Sequence, residues 1–146
     1  MDLKTMARVF GAVFVVVGIL GFVPGVTHVH NDPSVHVKAS EGMLLGIFHI
    51  NLLHNLVHIL FGLWGLFAGG TVSGARVYFR GVGIIYAVLA VLGLISAGNV
   101  NRTFGLIPIE GADVALHAVL AIAGLYLGFA AKAGDVTDAT TPPTNV

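Results

Sequence analysis

Seven histidines stand in a chain of 146 residues that is 56% hydrophobic and 10% charged. Three of them fall in the run FHINLLHNLVHIL. A helix turns about 100° per residue, so His54 and His58 share a face, with Asn51 and Asn55 within about 60° of His58. His49 points about 180° away from His58 and belongs near the outer boundary of the apolar segment. The run EGADVALH repeats the i, i+4 relation with Asp113 and His117. Neutral imidazole is the commonest protein ligand of zinc, copper and iron, and His54, His58, Asp113 and His117 supply enough donors for one such ion. Asn51 and Asn55 would then fix ring tautomers from outside the ligand set. Alternatively, His58 and His117 would ligate a b-type haem iron axially from facing helices. The same side chains could instead hydrogen-bond between helices or relay protons, with Asp113 capping the last helix. Spacing alone leaves these readings open.

A second group precedes them. The run THVHNDPSVHVK carries His28, His30, Asp32 and His36. In an extended segment His28, His30 and Asp32 lie on one side, where they and His49 could collect a metal ion; an ordinary solvated loop is the simpler reading. Asn101, Arg102 and Glu110 are expected to pair across the mouth of the molecule.

The elements that must position these groups are set by the solvent. A mean hydropathy of +0.93 excludes an ordinary soluble domain, in which about 25% of residues are charged. Uncharged runs long enough to approach a bilayer core of about 30 Å occur at about 9–23, 43–67, 81–97 and 114–131. Lys4 and Arg8 before the first run resemble a secretory signal, but no convincing cleavage site follows and the run is read as a retained span. Lys4, Arg8, Arg76, Arg80 and Lys132 fall on one side of the bilayer, against Lys38 and Arg102 on the other. That bias places both termini in the cytoplasm. The expected fold is an all-α integral membrane four-helix bundle over residues 1–133, with a polar cytoplasmic tail at 134–146.

The bundle reads as a duplicated helical hairpin, a parallel repeat. A shift of 72 places Arg8 on Arg80, Gly11 on Gly83, Phe14 on Tyr86, Gly18 on Ala90 and Gly21 on Gly93. A shift of 59 places His54 on Asp113, His58 on His117, Gly65 on Gly124 and Leu66 on Leu125. Small residues on one face of each helix let backbones approach closely in lipid. Trp64 reads as an interface anchor.

Zero net charge removes the footprint of a nucleic-acid binder. The lack of cysteine removes disulfides, iron–sulfur clusters and thiol catalysis. No nucleophile stands with a base and an orienting group, and no phosphate-binding glycine loop is evident, so nothing here points to an enzyme. Besides the lipid bilayer, the partners to expect are a second copy of the chain or a larger membrane complex that this chain joins as an accessory subunit.

The motifs FHINLLHNLVHILFGLWGL and GLIPIEGADVALHAVLAIAGL resemble a family of small bacterial four-helix membrane proteins described as a domain of unknown function. The similarity extends over nearly all of the chain except the tail, and His54, Asn55, His58, Asp113 and His117 match its pattern. Ala121 stands where many relatives have Gly. The resemblance implies a bacterial inner-membrane location and the four-span topology, and it brings no activity.

Overall fold

In the computed structural model the described residues are 2–95 and 97–131; the expected tail at 134–146 and Lys132 lie outside them. The chain is mostly helical. Helix α1 runs Leu3–Leu20 behind Asp2, whose carboxylate accepts from the Thr5 amide at 2.7 Å. Helix α2 runs Leu52–Ala68 behind Asn51, and α3 runs Val72–Gly93 behind Thr71, each cap accepting from the amide three residues on. Such caps satisfy amide groups that the helix itself leaves free. Helix α4 spans Ala112–Leu125 and ends in a π-helical turn, Tyr126–Ala130. Three stretches, Leu3–Leu20, Val72–Gly93 and Ala112–Ala130, are long and apolar enough to cross a membrane. Helix α2 is equally apolar but has 17 residues, about 26 Å at 1.5 Å per residue.

The second expected span, 43–67, is not helical throughout. Residues before α2 form a three-stranded antiparallel sheet of β1 Thr27–Val29, β2 Gly42–Leu44 and β3 Phe48–Ile50. Thr27 pairs with Leu44, and Leu44 with Phe48. Gly42 lets the strands meet, because a Cβ there would lie 2.6 Å from the His28 carbonyl oxygen. The β2–β3 turn needs positive φ at Gly46, which glycine adopts without steric cost. A hydropathy window counts these residues as apolar and does not detect their pairing with β1. The outer loop is likewise more ordered than a solvated connection, and tight irregular turns at Ala97–Gly105 lead from α3 toward α4.

Helices α1 and α3 begin earlier than the uncharged runs at 9 and 81. Lys4, Arg8, Arg76 and Arg80 are all inside them, and the connection expected from Gly69 to Arg80 shrinks to Gly69–Thr71. Arg76 and Arg80 are accommodated because they reach backbone acceptors at the end of α4. Arg80 Nε donates to the Gly128 carbonyl at 2.9 Å, and Arg76 Nη1 to the Ala131 carbonyl at 3.1 Å.

Glycines set how the helices pair. A Cβ at Gly11 would fall 2.6 Å from the Leu66 amide nitrogen and 3.0 Å from the Gly65 carbonyl carbon. A Cβ at Gly83 would fall 2.5 Å from the Leu125 amide nitrogen and 2.8 Å from the Gly124 carbonyl carbon. The α1–α2 and α3–α4 crossings are therefore the same contact at positions matched by the shifts of 72 and 59. The correspondence extends to Gly21 against Asn55 and Gly93 against Val114, and to Gly69 against Arg8 and Gly128 against Arg80. Where the two pairs meet, the matched rings Phe14 and Tyr86 stack at 5.7 Å and 21°.

The exposed flanks of the helices are apolar, and several polar groups are buried beside an apolar core. Leu60, Val91, Val119 and Ile122 are at least 60% exposed, whereas His54, Asn55, Asp113 and His117 are buried. An apolar exterior around a polar interior is what a hydrocarbon solvent selects.

Gly83→Val drives two Cβ substituents into the α4 backbone. Overpacking of this kind costs about 1–3 kcal/mol, so the thermal unfolding midpoint in detergent, followed by circular dichroism, should fall by several degrees. Leu60→Ala, on the exposed flank of α2, should leave that midpoint nearly unchanged.

Candidate functional site

The sequence motifs on α2 and α4 converge at the end of the helices nearer the sheet. His54, Asp113 and His117 are buried, and one ligand atom from each lies within 4.8 Å of the others. Helix α2 supplies His54 because Asn51 starts the helix three residues earlier, its side-chain oxygen accepting from the His54 amide at 3.0 Å. Helix α4 supplies Asp113 in its first turn and His117 one turn on. His54 Nδ1, His117 Nδ1 and Asp113 Oδ2 are buried with no hydrogen-bond partner. Among the described residues, no side-chain hydrogen bond from His54, His58 or His117 reaches another helix.

His58 lies beside this cluster rather than in it. Its ring centroid is 4.7 Å from that of His54, and its Nδ1 is 3.1 Å from the His54 carbonyl oxygen. A carbonyl only accepts, so Nδ1 carries the proton in that bond and Nε2 keeps its lone pair. Matched aromatic rings back the matched histidines: Phe14 meets His58 at 5.5 Å and 70°, and Tyr86 meets His117 at 5.0 Å and 71°. Sequence reading had no reason to place Tyr86 at the site; the pairing of Phe14 with Tyr86 under the repeat was the available signal.

Two other expectations are corrected. Asp113 does not cap α4: the cap position is Gly111, with no side-chain cap bond, and Asp113 lies one position inside the first turn. Asn51 does not orient a ring. Besides capping α2, its Nδ2 donates to the Leu106 carbonyl at 2.7 Å and the Val37 carbonyl at 3.3 Å, stitching both outer connections to the helix. Asn55 packs its amide on Gly21, where a Cβ would come within 2.1 Å of Oδ1, and its Nδ2 is buried without a partner.

The outer-loop residues separate. His28, on β1, and His36 are exposed; His36 gives its amide to the Gly105 carbonyl at 2.7 Å. Asp32, His49 and Glu110 bring ligand atoms within 4.8 Å of one another, but those groups already have partners. Arg102 Nε lies 2.7 Å from Asp32 Oδ2, and its Nη2 lies 2.9 Å from Glu110 Oε2. Asn101 also donates to Glu110, at 3.2 Å, so the expected pairing across the mouth is present. His49, on β3, stands between Glu41 at 3.3 Å and Glu110 at 3.4 Å, with the His30 ring edge-on at 4.8 Å. Glu41, 7% exposed and paired with Lys38 at 3.1 Å, is the member that sequence reading missed. A lone carboxylate beside a loop lysine carries no distinguishing pattern.

The carboxyl groups of Asp32 and Glu41 are held below their ordinary range. For Asp32 the main cause is the Ser34 amide, which donates to it, with Arg102 assisting against the opposing effect of burial. For Glu41 burial is the largest influence and opposes ionisation, but the Asp32 amide, Lys38 and His49 together outweigh it.

The family model described as Domain of unknown function (DUF4383) matches residues 4–130. No curated protein and no solved structure matches the chain.

A carboxyl group with a depressed folded-state pKa stabilises the fold above its ordinary value and loses that contribution as pH falls through the folded value. The contribution of Asp32 and Glu41 to the unfolding midpoint should therefore be complete above about pH 5 and be lost as pH falls below their ordinary values of 3.8 and 4.5. Arg102→Ala should lower stability at pH 7 by about 1–3 kcal/mol, the scale of a hydrogen bond to a charged group, and should make the acid-side fall shallower.

Proposed function

The chain belongs to the DUF4383 family, and from that premise we propose that it is a four-span membrane protein whose buried His54, Asp113 and His117 hold a transition-metal ion. The observation that carries this reading is Asp113. Its carboxylate is 2% exposed among apolar helices, one oxygen has no hydrogen-bond partner, and no lysine or arginine among the described residues pairs with it. An uncompensated buried charge is costly in hydrocarbon. A divalent cation between it and two unpartnered imidazoles would supply both the missing charge and the missing partners.

Two imidazoles and one carboxylate are the donor set of catalytic zinc sites and of non-haem ferrous sites, and both leave coordination positions open. His58 stands outside this set, with its ring 4.7 Å from that of His54. Haem fits poorly: the cavities against these histidines measure about 170 and 110 Å³, near the size that encloses one benzene ring.

The same reading takes the fold as a four-helix bundle built from a duplicated hairpin, lodged in a bacterial inner membrane with both termini cytoplasmic. Its support is the repeated glycine crossing and the distribution of charge. Lys38 and Arg102 are joined in the ion network beside the sheet, whereas Arg76 and Arg80 meet the end of α4. Such an asymmetry follows the positive-inside rule.

Protein solubilised without chelator should carry one zinc or iron ion per chain by elemental analysis and show no Soret band. His117→Ala and Asp113→Asn should each weaken metal retention about 10-fold or more, at least the scale seen for lesser outer-sphere changes. A wild type that stays metal-free after dialysis against zinc and ferrous salts would overturn the reading. So would a bound ion that the His117→Ala, Asp113→Asn double variant retains.

A further inference from the structure

Two cavities border the histidines, and they are related by the repeat. One, of about 170 Å³, is walled by Val57, Leu89, Ile107 and Ile109 and reaches His54, His58 and His117. The other, of about 110 Å³, is walled by Leu116, Val17, Phe48 and Ile50 and reaches His54, His58 and Asp113. The shifts of 72 and 59 carry Val17 to Leu89, and Phe48, Ile50 and Val57 to Ile107, Ile109 and Leu116. A void that recurs at matched places in two sequences as different as these is a feature of the architecture.

The larger cavity lies between α2 and α3. That seam has no backbone-to-backbone glycine crossing. Trp64 and Tyr78 space it with their rings at 5.1 Å, and the Trp64 ring covers Gly81. Above them the space stays open, and Ile85, which lines it, is 39% exposed on the apolar flank of the molecule. An occupant passing Ile85 would come from that apolar flank. Its walls are almost wholly apolar, but its floor presents His54 and His117, 5% and 2% exposed, each with a buried Nδ1 that has no partner.

An occupant that fits must dissolve in the bilayer, match one ring in size, and bring oxygen to an imidazole. A cavity of about 150 Å³ accepts benzene. A quinone carbonyl accepts a hydrogen bond and its reduced hydroxyl donates one, so this class satisfies imidazole nitrogen in either tautomer. We propose that the larger cavity binds the head ring of a membrane-dissolved quinone, with its oxygen directed at His54 and His117. The inference rests on the metal reading for its site and deepens it by naming the ligand class: without an ion the quinone oxygen would meet an imidazole nitrogen, and with one bound it would meet a coordination position that two imidazoles and a carboxylate leave open, so the two readings can fail separately.

Trp64 is the one tryptophan of the chain, and its ring is 5.9 Å from Phe61, which lines the cavity. Decylubiquinone titrated into the protein in lipid nanodiscs should quench Trp64 fluorescence saturably. Leu89→Phe, which fills the cavity, and His117→Ala, which removes a floor nitrogen, should each raise the half-saturation about 10-fold or more, with Val57→Phe as a second filling variant should Leu89→Phe not fold. Repeating the titration after metal removal separates the readings. Saturation with and without metal, or only with metal, upholds the quinone site. Quenching that rises linearly with quinone in the bilayer, equally in wild type and filled variants, overturns it whatever elemental analysis finds.

Discussion

The structure depends on two places where helix backbones touch. At Gly11 against Gly65 and Leu66, and at Gly83 against Gly124 and Leu125, any side chain would intrude on main-chain atoms. Three of the helices are long and apolar enough to cross a membrane, and in a lipid solvent close backbone contact, dispersion and polar contacts would supply the association. Two tightly joined hairpins result. What lies between the hairpins is left to side chains: stacked Phe14 and Tyr86, edge-on Trp64 and Tyr78, and the polar cluster.

That division of labour explains why the polar groups sit where they do. The seams within each hairpin are too tight to hold an imidazole, whereas the seams between hairpins are ring-sized. His54 on one hairpin and its matched residue Asp113 on the other approach within 4.8 Å, together with His117. The positions matched by the shift of 59 differ at this place, with an imidazole on one side and a carboxylate on the other. Two chemically different donors thereby face one another across related positions.

The mouth is a separate device. Asp32, Glu41, His49, Arg102 and Glu110 form an ion network that ties the sheet to the irregular turns after α3. Its carboxylates all have side-chain or backbone partners, unlike Asp113 in the buried cluster, and Asn51 joins the two layers by capping α2 while holding both outer connections. The mouth thus carries organisation, and the unsatisfied chemistry lies beneath it.

Much of this was legible in the residues. Apolar runs located part of each helix without its bounds, the i, i+4 pairs put His54 with His58 and Asp113 with His117 on single faces, and the matched glycines named the contacts that recur. These are properties of one helix or of two aligned segments, and a helical period or a shift suffices to read them. The strands at 42–50, the caps formed by Asn51 and Gly111, the compensation of Glu41 and His49, and the separation of His58 from the ligand cluster were not legible. Each depends on which atoms of distant segments meet. Composition and periodicity determined that this chain would bury histidine and carboxylate between apolar helices; only the tertiary structure decided which of them face one another without partners, because hydrogen-bond satisfaction is a property of three-dimensional neighbours.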